Sequence, residues 1–283
     1  MRSPNPSLSL AAFGLNVVDE HAPDYLGWSV PPLQACCNDA ASMVLLGAVN
    51  GLSASAFVST YVGVMSGVGN NIPPYRLALD CSRELVHAQI ALRASFVAEE
   101  IAKGGDPLTV ISISGHGAQE VYLAETVESL VLSDGLMPDF EFHNLLALFP
   151  ARARVATFLD TCHSGGMDRA AKFRFRAKFA GTVRRVDEEG RAIREQKPKA
   201  VIKANLAIFA ACARDTTALD GQHNGAFTGC LLQAAQEAQD NKLKPSWLDV
   251  FHRAVQLCRS QFNQQPVATF YGEQSVWEKP FMK

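Results

Sequence analysis

The sequence predicts an α/β fold, with a mainly parallel sheet covered by helices on both faces. Three observations carry that prediction. Short strand-like runs alternate with longer segments of helical spacing along most of the chain, the pattern of parallel strands joined by crossover helices. Apolar residues make up 48% and charged residues 19%, the balance of a globular chain. At 283 residues the chain is long enough for an ample core, and it shows no internal repeat.

The elements follow in order. Leu8 to Val18 reads as a buried strand. Leu33, Cys37, Ala40, Val44 and Leu45 recur at helical spacing, so 33–49 is a helix that stops near Asn50-Gly51. Residues 56–60 form a short strand, and 62–75, rich in Gly, Asn and Pro, a loop. Arg76 to Lys103 reads as one long amphipathic helix closed by Gly104-Gly105. "LTVISIS" (108–114) is a strand, 140–148 a short helix, and "VATFLD" (155–160) and "LAIFAA" (206–211) are further strands. Helices are expected over 227–239 and 247–262, the second with Ser246 at its N-cap, and "VATFY" (267–271) is the last strand.

The totals exclude several classes. A net charge of -2 provides no overall attraction to nucleic acid. No stretch of 18 or more apolar residues is present, so no membrane span is expected. Arg2 precedes an apolar run, but Asn16 interrupts it and no cleavage signal is clear, so the segment reads as a strand and not a leader. Seven scattered cysteines form neither a disulfide framework nor a zinc pair; reduced thiols and a cytoplasmic setting fit them.

One segment stands apart. Residues 169–203 hold 12 Lys and Arg against 4 Asp and Glu, a net +8, which leaves about -10 for the rest. Lying between two core strands with little apolar periodicity, it is expected to be an exposed loop or hairpin insertion.

Two strands end on chemically suggestive residues. "LTVISIS" runs into Gly115-His116-Gly117, and "VATFLD" into Thr161-Cys162-His163. With a helix between them they form a βαβ unit. As neighbours about 4.8 Å apart they would bring His116 and Cys162 together at the carboxyl edge of the sheet. An imidazole stabilises a thiolate and later protonates a leaving amine. The N–H groups of Gly117 and Cys162 are positioned to hold an oxyanion, so the implied reaction is acyl transfer, most simply peptide hydrolysis. Alone, a cysteine or histidine at a strand end is commonly structural; two glycine-flanked ends in one βαβ unit are not. His163, adjacent to Cys162, points elsewhere and has no assigned role. A phosphatase-type loop would need an arginine where Asp168 stands; Arg169 falls one residue too late.

"GDPLTVISISGHG" followed by "ATFLDTCHSGG" resembles the caspase-like peptidases of the C14 type, and among them the metacaspases and their bacterial relatives. "LQACCNDA" (33–40), "ACARDTTALD…NGAFT" (211–228) and "NQQPVATFYG" (263–272) are similar to further segments of that family. A true caspase fits less well, because Cys162 lacks the Gln-Ala-Cys setting. The resemblance implies a single caspase-like catalytic domain over 1–283, with a sheet of about six strands. Its parts would be large-subunit-like (1–168), a basic linker (169–203) and small-subunit-like (204–283). It implies a dyad of His116 and Cys162, and a substrate-binding pocket built from Cys36, Asp39, Ser114 and Asp160. Two carboxylates in one pocket suit an Arg or Lys side chain and repel Asp. Asp215 also matches a family position, without a role, and an inward Arg214 would weaken the pocket.

Many metacaspases bind calcium through clustered aspartates. Here Glu120, Glu125, Glu128, Asp134 and Asp139 are scattered, and one acid, Asp168, follows the cysteine; no metal or other cofactor is expected. The basic linker lies where this family joins its two parts. An enzyme that cuts after Arg or Lys is therefore expected to be a zymogen cut in this loop by itself or a partner protein, at Arg174, Arg176, Arg184 or Arg185. The partners implied are protein substrates and an activating protein, with no membrane or nucleic acid. The competing class is a non-enzymatic scaffold of the same fold.

Overall fold

The structure, a computed structural model, describes residues 8–19, 21, 22, 25, 29–59, 76–122, 125–161, 176–184, 199–212 and 217–280. Seven strands form the central sheet. From one edge they are β13 (Val267–Tyr271), β11 (Asn205–Ala210), β8 (Arg154–Asp160), β4 (Leu108–Ser114), β1 (Leu8–Gly14), β2 (Ser53–Val58) and β3 (Arg76–Ala78). All pairs are parallel except β11 with β13.

Alternate strand residues face opposite sides, and each side has its own core. Leu10, Val110, Phe158 and Phe209 pack with α1 (Cys36–Val49), α4 (Ala226–Asp240) and α5 (Trp247–Phe262). Phe13, Ile111, Ile113 and Val155 pack with α2 (Arg83–Ala102) and α3 (Asp139–Leu146). Phe158 and Phe209 stack across β8 and β11 with ring centroids 5.0 Å apart. The capping box of Ser246 and Asp249 starts α5 as the sequence predicts.

The sheet differs from expectation in three places. It has seven strands, not six, and one edge strand runs antiparallel. The predicted helix over 76–103 begins only at Arg83, because Ser82 caps it there by accepting from the Leu85 N–H at 3.2 Å. That leaves 76–78 free to pair with β2 as β3. A second sheet of four strands was not anticipated. It runs β10 (Phe179–Arg184), β5 (Gly117–Tyr122), β6 (Glu125–Val131), β7 (Leu136–Pro138). Within the basic segment, 176–177 and 179–184 are strand rather than exposed loop, whereas 199–203 carry no helix or strand and are mostly exposed. Arg176–Ala177 (β9) pairs antiparallel with Leu219–Asp220 (β12), and β10 lies parallel on β5.

Register positions the chemistry. Gly14 stands opposite Ser114, and Ser114 opposite Asp160, so three strands end level at one edge. Gly14 also lets α1 approach that edge: a Cβ there would collide with the Cys36 carbonyl and lie 2.7 Å from the Cys37 Cα. The amino end of α1, with Cys36 and Asp39, is thereby seated over the strand ends.

Candidate active site

β4 stops at Ser114, and the chain leaves the central sheet through Gly115 and His116 to start β5. The His116 carbonyl accepts from the Val131 N–H at 3.1 Å, which pins this turn to β6. The ring is 3% exposed. Nε2 lies 2.7 Å from the Pro31 carbonyl. A carbonyl only accepts, so Nε2 carries the hydrogen. Nδ1 has no hydrogen-bond partner among the described residues. Burial holds the His116 pKa below its ordinary value, against the opposing pull of the Pro31 and Lys178 carbonyls. A neutral imidazole with a free Nδ1 can take up a proton and return it.

The four predicted pocket residues come together. Asp39 and Ser114 are buried, and the Ser114 hydroxyl donates to Asp39 Oδ2 at 2.6 Å. Asp39 Oδ1 accepts from Asn224 Nδ2 and from the Gly225 N–H, each at 2.9 Å. Asp160 Oδ2 accepts from the Thr228 N–H at 3.0 Å and its hydroxyl at 2.8 Å. Cys36 forms a wall: its Sγ lies 3.9 Å from Asp220 Oδ1, and burial pushes the thiol well up, which makes it inert. Asp220 itself accepts from the N–H groups of Gln34 and Ala35 at 2.8 and 3.1 Å, tying β12 to the start of α1.

A basic side chain fills the space between the carboxylates. Lys178, fully buried, sends its Nζ to 3.3 Å from Asp39 Oδ2 and 3.1 Å from Asp160 Oδ1. It also donates to Ser114 Oγ at 2.9 Å and to the Asp160 carbonyl at 3.1 Å. Burial alone would favour the neutral amine, but Asp160, Cys36, Asp39 and Asp220 raise the Lys178 pKa well above its usual value, so it is an ammonium. Burial pushes Asp39 up to about 6, with Asp160 adding to the rise and Lys178 opposing it. Two carboxylates so enclosed need a cation between them.

Gly225 closes one side. A Cβ there would sit 2.5 Å from both Asp160 Oδ2 and Lys178 Nζ, although its φ of -57° suits any residue. Gly225→Ala is therefore expected to lower the unfolding free energy by about 1–3 kcal/mol through overpacking, as denaturant unfolding would measure. Unchanged stability would mean that Lys178 does not fill this space.

Several predicted residues lie outside the described residues: Cys162, Arg174, Arg185, Asp168, Arg214 and Asp215. Arg176 and Arg184 are placed by their backbones, in β9 and β10. Sequence reasoning did not single out Lys178, Pro31, Asp220, Asn224, Gly225 or Thr228. The "NGAFT" stretch contained three of these, and the net +8 segment contained Lys178, but only as one basic residue among 12. Among the described residues no group of three or more His, Cys, Asp and Glu is arranged to hold a metal ion, and no helix is long and apolar enough to cross a membrane.

The caspase domain model of the peptidase C14 family matches residues 29–272. The chain belongs to that family. Caspase-domain proteins are a family of cysteine peptidases, and the caspase-like α/β fold expected from the sequence is the one observed. Among solved structures, a protein of Geobacter sulfurreducens is similar over 97% of this chain and 98% of its own, at 24% identity and a TM-score of 0.69. Caspase-1 from Spodoptera frugiperda is similar over 94% of this chain and 87% of its own, at 12% identity and a TM-score of 0.53. At these identities the likeness concerns the fold alone. No curated protein sequence matches the chain.

Proposed function

We propose that this caspase-domain protein is a cysteine endopeptidase that cleaves after Arg or Lys. The observation that carries the preference is a lysine ammonium held between the Asp39 and Asp160 carboxylates and Ser114 Oγ, at the level of the strand ends that carry His116. A carboxylate in the same place would meet two like charges. Cys162, two residues beyond Asp160, attacks the substrate carbonyl. His116 moves the proton, and the Gly117 N–H, with that of Cys162, holds the oxyanion. Residues 1–283 act as one catalytic domain and need no metal. Cleavage in the basic linker, by the enzyme or a partner protein, is the activating step.

The test is hydrolysis of short fluorogenic peptides ending in Arg, Lys or Asp, with and without calcium, beside Cys162→Ala. Activity on Arg and Lys peptides that vanishes in Cys162→Ala is expected. Turnover of Asp peptides would overturn the pocket assignment. If an arginyl electrophile fails to label Cys162 once the basic linker has been cut, the non-enzymatic scaffold takes its place.

The pocket also sets a pH dependence. Asp39 is charged above about pH 6 with Lys178 in place, and Lys178 opposes its rise, so in an emptied pocket its pKa lies higher still. kcat/KM reports the free enzyme, so activity on Lys peptides should fall as pH drops through 6 or somewhat above. Burial also holds His116 below its ordinary value. Carboxamidomethylation of Cys162 by iodoacetamide, which does not use the pocket, should lack the limb due to Asp39. Coincident limbs in both assays would refute this assignment.

A further inference from the structure

The lysine in the pocket belongs to the chain itself, and its backbone is held on both sides. Its carbonyl accepts from the Gly117 N–H at 2.8 Å, the donor assigned above to the oxyanion. Its own N–H donates to the Ala218 carbonyl at 3.1 Å. The two residues before it extend antiparallel along β12, with Ala177 opposite Leu219 and Arg176 opposite Asp220. The residue after it, Phe179, enters β10 opposite Gly117. Side chain and carbonyl are thus engaged by the groups assigned above to a substrate, while the amide and the preceding strand are held by Ala218 and β12, as an added strand is held in peptide recognition. Residues 176–184 of the basic segment pair with β12 and β5 on either side of Lys178, and Lys178 is the one residue of that segment described in the acidic pocket.

We infer that Lys178 is a built-in occupant of the acidic pocket, which closes it to other substrates, and that Lys178–Phe179 is the bond whose cleavage opens the enzyme. This inference rests on the peptidase reading above. In the step, the Cys162 thiolate attacks the Lys178 carbonyl carbon. The C–S bond forms as the C–N bond to Phe179 breaks, and the thiol's proton passes through His116 to the departing Phe179 amine. Water then hydrolyses the thioester, leaving a carboxylate on Lys178 and the free thiol. Before the cut, the tether gives Lys178 an effective concentration of about millimolar, which a peptide in solution must exceed. After the cut, Lys178 is the end of a released strand that competes far less well. Of the basic residues in this segment, the geometry thus favours Lys178 over Arg174, Arg176, Arg184 and Arg185 as the residue before the cut.

Two measurements on the full chain test this. In the first, the purified wild-type chain is incubated and its new termini are read by intact mass and amino-terminal sequencing. A fragment beginning at Phe179 is expected, retained in Lys178→Arg and absent in Lys178→Met and Cys162→Ala. In the second, a fluorescent peptide ending in Arg is titrated by anisotropy into Cys162→Ala and into Cys162→Ala/Lys178→Met, neither of which can cut. Removal of Lys178 is expected to tighten binding at least about tenfold. Equal affinity in the two proteins overturns the inference. So does cleavage only at another residue, or an intact chain that nevertheless hydrolyses Arg peptides. The wild-type termini require no substitution at Lys178, so the inference stays testable if Lys178→Met does not fold. Failure of the peptidase reading looks different: neither the wild-type chain nor Lys178→Met hydrolyses Arg or Lys peptides, whatever the anisotropy reports.

Discussion

Replacing His116 with alanine is expected to lower kcat/KM on a Lys peptide by about 10³-fold, within the range typical of a positioned acid–base group. The expectation rests on geometry. Nε2 is committed to the Pro31 carbonyl, which sets the tautomer and leaves the lone pair on Nδ1, and the ring is almost wholly buried. Its depressed pKa keeps it neutral at pH 7, the form that can accept a proton. Cys162→Ala should be at least as severe. Because a nucleophile and its base act as a unit, the double variant should be scarcely worse than Cys162→Ala alone. Thermal unfolding of His116→Ala checks that the fold survives the loss of one buried hydrogen bond. A kcat/KM within tenfold of wild type in a folded His116→Ala protein would remove the ring from the reaction.

Asp39→Asn is expected to act twice, on catalysis and on stability. A hydrogen bond to a charged group contributes about 1.5–3 kcal/mol, so losing this carboxylate should lower kcat/KM on Arg and Lys peptides by about 10²-fold. The amide keeps the shape, so Asn224 and the Gly225 N–H retain a partner of similar size. In the uncut chain the same change leaves Lys178 with Asp160 as its one acidic partner in the pocket, and breaking a buried pair costs about 3 kcal/mol. The cycle Asp39→Asn, Lys178→Met and the double variant, built on Cys162→Ala to keep the chain whole, measures this directly. Denaturant unfolding should show the double variant more stable than the sum of its parts by about 1–3 kcal/mol. Additive losses would mean that the pair does not form in solution.

Much of this site was legible before any coordinates. His116 stood out because glycine flanked it at the end of a strand, and Asp160 because an apolar run stopped on an acid. Parallel neighbouring strands turn such ends into one edge, and the observed register puts Ser114 opposite Asp160 as that argument requires. Asp39 was reached through the resemblance of "LQACCNDA", and it is buried against Ser114. The helices and most strands followed from periodicity and caps, as at Ser246. The boundary at Arg76 was misread because three strand residues precede a strong helix and share its apolar spacing. The second sheet was missed for a related reason: "GAQEVY" and "ETVESLV" carry Glu and Gln at their centres, which reads as polar loop until a partner strand pairs with them.

The sequence by itself determined the alternation of strands and helices and the two glycine-flanked strand ends, while the acids of the pocket were reached through the family resemblance. The alternation and the strand ends are local properties, written in periodicity, in caps and in the chemistry of single positions. Tertiary structure alone decided which cation fills that pocket. Twelve basic residues crowd 169–203, and no local signal distinguishes Lys178 from the others. Its place follows from pairings with β5 and β12, which begin 61 residues before it and 41 after it. Long-range pairing of this kind depends on where the finished sheet leaves an open edge and where two buried carboxylates stand without a counter-charge. Neither exists until the chain has folded.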